Sequence, residues 1–145
     1  MWLVGLVVGK SDFNENPVVS LDLDFGLRLR VCQFLSLGWG LTSEGGNVSS
    51  VLLETKQKIL GNKDFKCVRG AHFSHDVPRY KMCAYKEASD SCAGDSGGPL
   101  VVKENGRWTT VGVVSYGVGC ARRGYAGVYA RVTSYLDWIN HHIEV

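Results

Sequence analysis

Between Asp90 and Leu100 the chain reads Asp-Ser-Cys-Ala-Gly-Asp-Ser-Gly-Gly-Pro-Leu. Gly94, Gly97 and Gly98 bracket Ser96, and Pro99 follows at once. Glycine lets a backbone turn tightly and leaves its N–H groups uncovered, so this stretch is a loop that presents its serine. Two uncovered N–H groups beside a serine hydroxyl can bind the oxyanion that forms when that hydroxyl attacks a carbonyl. Four residues of Gly-Asp-Ser-Gly would describe only a polar turn. The full run of eleven residues is what carries weight.

Length and composition set the surroundings. A chain of 145 residues is long enough for one domain with a real core. Its 45% hydrophobic and 21% charged content is ordinary for a globular protein. A net charge of +2 is too small to argue for nucleic acid or an anionic membrane as partner. Phosphate-binding glycine patterns are absent, and no cofactor is implied. His72 and His75 stand three apart but have no acidic or thiolate partner in pattern, so no metal site is assigned. Five cysteines in a chain this size favour an oxidising compartment, and none forms the Cys-x-x-Cys of zinc or redox sites.

Residues 1–9 are apolar, but no basic residue precedes Lys10 and the run is too short to cross a membrane. No convincing signal peptide is read there. In the poorly patterned stretch that follows, Leu27, Leu29 and Val31 alternate with Arg28 and Arg30 as one strand would. Asp22 and Asp24 read as a surface acidic pair. Residues 42–50 form a polar, glycine-rich loop holding the glycosylation sequon Asn47-Val48-Ser49. Residues 51–53, 100–102, 108–116 and 127–132 read as strands, with a turn at 104–107. Tyr135, Leu136, Trp138, Ile139 and Ile143 recur at helical spacing after Thr133-Ser134, which predicts a C-terminal helix capped by those hydroxyls.

The run 90–100 resembles the nucleophile loop of the trypsin/chymotrypsin-like serine proteases, the peptidase S1 family. Gly38-Trp39-Gly40 is similar to that family's Gly-Trp-Gly. Val114-Ser115-Tyr116-Gly117, Gly119-Cys120 and Ala126-Gly127-Val128-Tyr129-Ala130-Arg131-Val132 resemble its pocket walls, and Tyr135-Leu136-Asp137-Trp138-Ile139 its closing helix. The likeness covers residues 37–145 and corresponds to the C-terminal half of the family's domain. Residues 1–36 match nothing and are expected to form an unassigned, poorly ordered segment. The implied fold is all-β: a single six-stranded antiparallel Greek-key β-barrel with a C-terminal α-helix.

The resemblance also implies roles. Ser96 is the nucleophile, and the backbone N–H groups of Gly94 and Ser96 are the oxyanion donors. Asp95 is the residue that pairs with a newly freed N-terminal ammonium and so orders the oxyanion loop. No matching N-terminus stands in this sequence, so Asp95 is expected to be solvated, protonated or paired otherwise. A buried unpaired carboxylate costs several kcal/mol, hence the expectation of a mobile loop. Asp90 marks the floor of the primary specificity pocket, where a carboxylate selects Arg or Lys. Gly117 and Gly127 are its walls. Ser115, Tyr116 and Gly117 would pair with a substrate backbone as an added strand. Disulfides are implied between Cys67 and Cys83, closing a solvated loop, and between Cys92 and Cys120. Cys32 is left unpaired, since Val102 stands where its family partner would be. Protein or peptide substrates with Arg or Lys, protease inhibitors as partners, and secretion complete the implied picture.

The family's catalytic histidine and aspartate belong to the half that the likeness does not cover. Neither His72 nor His75 sits in a sequence similar to the family's Thr-Ala-Ala-His-Cys. A serine hydroxyl without a base is a weak nucleophile. The expectation is therefore a trypsin-like serine endopeptidase by descent, present as a truncated chain and inactive alone. The alternative is a non-catalytic binding module that keeps an Arg/Lys pocket.

Overall fold

The computed structural model describes residues 33–104 and 106–143. Six strands close an antiparallel barrel: β1 (Phe34–Gly38), β2 (Leu53–Leu60), β3 (Lys81–Tyr85), β4 (Pro99–Glu104), β5 (Arg107–Tyr116) and β6 (Gly127–Arg131). Their order around the barrel is β1-β2-β3-β6-β5-β4, and β4 pairs back onto β1. Because β6 lies beside β3, the chain leaving β3 cannot turn directly into β4. Residues 86–98 cross one end of the barrel instead, in the Greek-key manner. That crossing carries both Asp90 and Ser96.

Alternation along the strands fills the interior. Phe34 faces inward from β1, Met82 and Ala84 from β3, Leu100 and Val102 from β4, and Tyr129 from β6. Each large apolar side chain buried there contributes roughly 1.5–3 kcal/mol. A helix, α1 (Phe65–Gly70), packs outside β3 and β6. Its first turn is capped by Asp64, whose carboxylate accepts from Lys66 N at 2.8 Å. Gly70 is required at its end, because a Cβ there would collide with the carbonyl of Ala126.

Both implied disulfides form, Cys67–Cys83 and Cys92–Cys120, closing loops of 16 and 28 residues. Loop-closure entropy gives each about 3 kcal/mol of stabilisation. The solvated loop expected between Cys67 and Cys83 is only partly so. Both cysteines are fully buried and join Ala71, Val77, Ala126 and Val128 in a second core cluster. Arg69, the tip around His72, Ser74, His75 and Asp76, and the pair Arg79 and Tyr80 are exposed.

Other details depart from the sequence reading. β1 begins at Phe34, so a barrel boundary at residue 37 falls inside a strand. β2 begins at Leu53, and Val51 and Leu52 are exposed before it. A 3₁₀ turn (Val132–Tyr135) precedes the C-terminal helix α2 (Leu136–His142). This turn carries Thr133 and Ser134 away from the cap position. Tyr135 stands there without a side-chain cap, and the Ser134 hydroxyl donates to the Arg79 carbonyl at 3.4 Å. Cys32, the acidic pair Asp22 and Asp24, the alternation at residues 27–31 and the segment 1–32 lie outside the described residues.

Asn62 joins the end of β2 to the loop before β3. Its Nδ2 donates to the carbonyls of Val77 (2.9 Å), Pro78 (2.9 Å) and Lys81 (3.1 Å). Its Oδ1 accepts from Arg131 at 3.0 Å. Replacing it leaves several part-buried polar groups unsatisfied, and each costs about 1–3 kcal/mol. Asn62→Ala is expected to lower the unfolding free energy by about 2 kcal/mol, read from urea midpoints. A shift below about 0.5 kcal/mol would show that the loop is held by other contacts.

Candidate active site

The nucleophile loop is fixed by its own acid. Asp95 Oδ1 accepts from Gly40 N at 2.7 Å, and Oδ2 accepts from Cys92 N at 2.9 Å. Of the fates expected for Asp95, the structure has the paired one, with two backbone amides in place of an ammonium. The segment Gly38-Trp39-Gly40 is therefore the clamp on this loop. A Cβ at Gly38 would overlap the Asp95 carboxylate, and one at Gly40 would lie 2.6 Å from Asp95 Cγ. Leu41 N also donates to Ala93 O at 2.8 Å. Beyond the acid, Gly98 N donates to Asp95 O and Gly97 N to Val114 O, each at 2.9 Å.

These bonds leave Ser96 exposed at the turn. Among the described residues, neither the Gly94 nor the Ser96 N–H donates to any acceptor. Gly94 has φ +97°, which only glycine adopts without strain, and a Cβ there would lie 3.1 Å from Gly40 Cα. Two unused amides flanking a free hydroxyl are the components of an oxyanion site.

Asp90, Gly117 and Gly127 converge. The ideal Cβ of Gly127 would stand 2.8 Å from Asp90 Oδ1, and that of Gly117 would stand 3.8 Å from Gly127 Cα. The Asp90 carboxylate thus lies against the bare backbone of Gly127, with Gly117 beside it. Asp90 Oδ1 accepts from Ser91 N at 2.9 Å and Oδ2 from Ala121 N at 3.1 Å. Burial pushes its carboxyl above the ordinary range, the amides of Ala121 and Ser91 pull it down, and the charge of Asp95 adds to the rise. Beneath it, the Tyr129 hydroxyl lies 3.4 Å from Ser91 Oγ, and burial raises that phenol. The Cys92–Cys120 disulfide ties the loop to the far wall.

Ser115 is the extra residue of a β-bulge: Val114 pairs with Tyr129 and Tyr116 with Val128. Bulges re-aim side chains beside functional sites. Ser115 is exposed and Tyr116 half-buried at the end of β5, next to Gly117. None of the four histidines bonds to Ser96. His72, His75, His141 and His142 are all exposed, and His142 Nδ1 lies 2.7 Å from Trp138 O.

Sequence reasoning missed the residues that seat Asp90. Inside the barrel, Gln57 is 1% exposed and donates from Nε2 to Ser89 O at 3.0 Å. The hydroxyls of Thr55 and Ser89 are hydrogen-bonded to each other. A glutamine in a strand of alternating charges carries no local signal of burial. At the rim, Glu44 accepts from Cys120 N at 3.3 Å and pairs with Arg122, which holds the Glu44 carboxyl below its usual range.

The family model described as Trypsin matches residues 31–139. A protein named tryptase from Mus musculus is 43% identical over 113 residues, 73% of this chain and 41% of that protein. A protein named Trypsin-1 from Astacus astacus is 42% identical over 133 residues, 90% of this chain and 54% of that protein. The chain spans about half the length of these curated relatives.

The raised Asp90 carboxyl has a definite linkage sign. A folded pKa above the unfolded one gives stability that is complete below the unfolded value and lost as pH rises through the folded value. The stability of wild type relative to Asp90→Asn is thus expected to fall as pH is raised from the ordinary carboxylate range through the raised one. Urea midpoints of both proteins across this window check it. A difference that is flat or of opposite sign would contradict the burial of Asp90.

Proposed function

The chain belongs to the trypsin family, and from that membership we propose that it carries the nucleophile and specificity pocket of a serine endopeptidase cleaving after Arg or Lys. The observation that carries this reading is Asp90. A part-buried carboxylate lies against the bare backbone of Gly127, where we place a glycine-walled slot, and among the described residues it takes two backbone N–H groups and no cation. A guanidinium or ammonium entering the slot supplies the missing charge. A neutral side chain would leave the carboxylate buried without compensation.

With the basic side chain seated, the carbonyl that follows it comes to Ser96. The Ser96 oxygen attacks, and the amides of Gly94 and Ser96 receive the negative charge on the carbonyl oxygen. The substrate backbone runs along residues 115–117 as an added strand, which is also how a protein inhibitor would bind. The hydroxyl proton must go to a base, and no histidine of this sequence is bonded to Ser96. We assign that base and its carboxylate partner to residues outside this sequence. Removing the histidine from such a triad costs on the order of a million-fold in rate in an unrelated protease with the same chemistry. Two disulfides fit secretion into an oxidising compartment.

That no described residue places a base at Ser96 also favours a second reading, a binding module that recognises Arg or Lys without cleaving. Both readings expect p-aminobenzamidine to bind the chain in equimolar ratio. Asp90→Asn is expected to weaken that affinity at least about tenfold, since a charge-assisted bond is lost. Gly127→Val is expected to abolish it by filling the slot. Wild-type protein that ignores benzamidine, or an Asp90→Asn protein that binds it equally well, would refute the pocket assignment. The two readings separate on co-folding with the N-terminal portion of a trypsin-family relative. Hydrolysis of Arg-containing peptides that is lost in Ser96→Ala identifies the endopeptidase. A folded complex without hydrolysis identifies the module.

A further inference from the structure

Lys81 opens β3 and stands against the aromatic residue of the substrate-pairing edge. Its ammonium donates to the Tyr116 hydroxyl at 2.9 Å and lies 4.6 Å from the centre of the same ring. Phe73 and Tyr80 close around it, with ring centres at 5.3 and 5.9 Å. The Tyr116 hydroxyl in turn donates to the Ala71 carbonyl at 3.2 Å, which fixes its position. An ammonium has three N–H donors, and no other described acceptor takes a second one from Lys81. No carboxylate pairs with it among the described residues. Ion pairs among the described residues include Asp76 with Lys63, Glu44 with Arg122 and Glu87 with Arg123.

A cation–π contact alone would account for a lysine used as a structural pin. Two observations go further. Three aromatic rings could enclose an apolar side chain with no desolvation cost, yet this position holds a full charge whose one protein acceptor is neutral. The stretch of sequence that ends in Lys81 is cationic as well. Residues 63–81 hold five Lys or Arg against two acids, a surplus of three in a chain whose whole surplus is two. One of those acids, Asp76, already has Lys63. Adjacent rings also thin the water around the ammonium, which strengthens its field toward an incoming anion.

We propose that Lys81 is an anion subsite, so that the ligands of this protein are peptide segments with an acidic side chain near the basic one. The proposal rests on the reading of residues 115–117 as a substrate edge and of Asp90 as the receptor for Arg or Lys. Tyr116 precedes Gly117, which faces the Gly127 wall of the pocket. A strand rises about 3.3 Å per residue, so the acid falls within a few residues of the Arg. An aspartate or glutamate there meets Lys81, while a lysine there is repelled by it.

The test uses short fluorescent peptides, each with one Arg, in which Glu, Gln or Lys is stepped through the neighbouring positions. Binding to the intact chain is followed by anisotropy at low and at high salt. At one or two positions Glu is expected to bind about fivefold tighter than Gln, the upper range for a solvent-accessible ion pair. The preference is expected to shrink at high salt, vanish in Lys81→Met and turn toward Lys in Lys81→Glu. Equal binding of the Glu and Gln peptides at every position overturns the proposal while leaving the Arg pocket intact. A Glu preference that survives in Lys81→Met overturns the assignment to Lys81. Failure of every peptide to bind wild-type protein sinks the edge-and-pocket reading and this proposal with it.

Discussion

The Asp95 carboxylate sits between two segments distant in sequence, holding Gly40 N–H on one oxygen and Cys92 N–H on the other. Hydrogen bonds to an ionised acceptor are roughly twice as strong as neutral ones, about 1.5–3 kcal/mol each. This pair stands in for a large contact surface that a glycine loop cannot make. The bare backbones at Gly38 and Gly40 exist to admit the carboxylate. Once it is seated, the loop has one path available, and that path leaves Ser96 outward and two amides unused.

Topology explains why the remaining parts arrive at the same place. Since β6 occupies the position beside β3, the crossing from β3 to β4 runs over the barrel end and delivers Asp90 and Ser96 together. The ends of β5 and β6 meet there too and supply Gly117 and Gly127. Inside the barrel the same end is polar. Gln57 and Thr55 grip Ser89, the residue before Asp90, and Gln57 keeps a buried carbonyl oxygen with no partner. A barrel built only for stability would place aliphatic side chains here. The polar lining and the part-buried Asp90, which has no cation beside it among the described residues, are costs to stability of the kind that cluster at functional sites.

Much of this was legible before any coordinates. The family resemblance put Asp90, Gly94 and Ser96 on one loop and implied the two cysteine pairs, both of which form. The strands of the second half announced themselves through β-branched runs such as residues 109–114. What stayed hidden depends on distant partners. Nothing local in Gln57 or Asn62 says that each meets backbone carbonyls 15 or more residues away. The register shift that turns Ser115 into a bulge is a property of two strands, not one. The helix cap lies at Tyr135, one residue past Ser134, because a 3₁₀ turn takes up Thr133 and Ser134.

The three tryptophans among the described residues, Trp39, Trp108 and Trp138, are each more than half exposed. An indole in water emits at long wavelength whether or not the chain around it is folded, so bulk emission colour is a poor gauge of this fold. Trp39 is different in one respect. It lies between the two glycines that hold Asp95, so collisional quenching of that single indole follows the seating of the loop around Ser96, once Trp2, Trp108 and Trp138 are replaced by phenylalanine to silence the background.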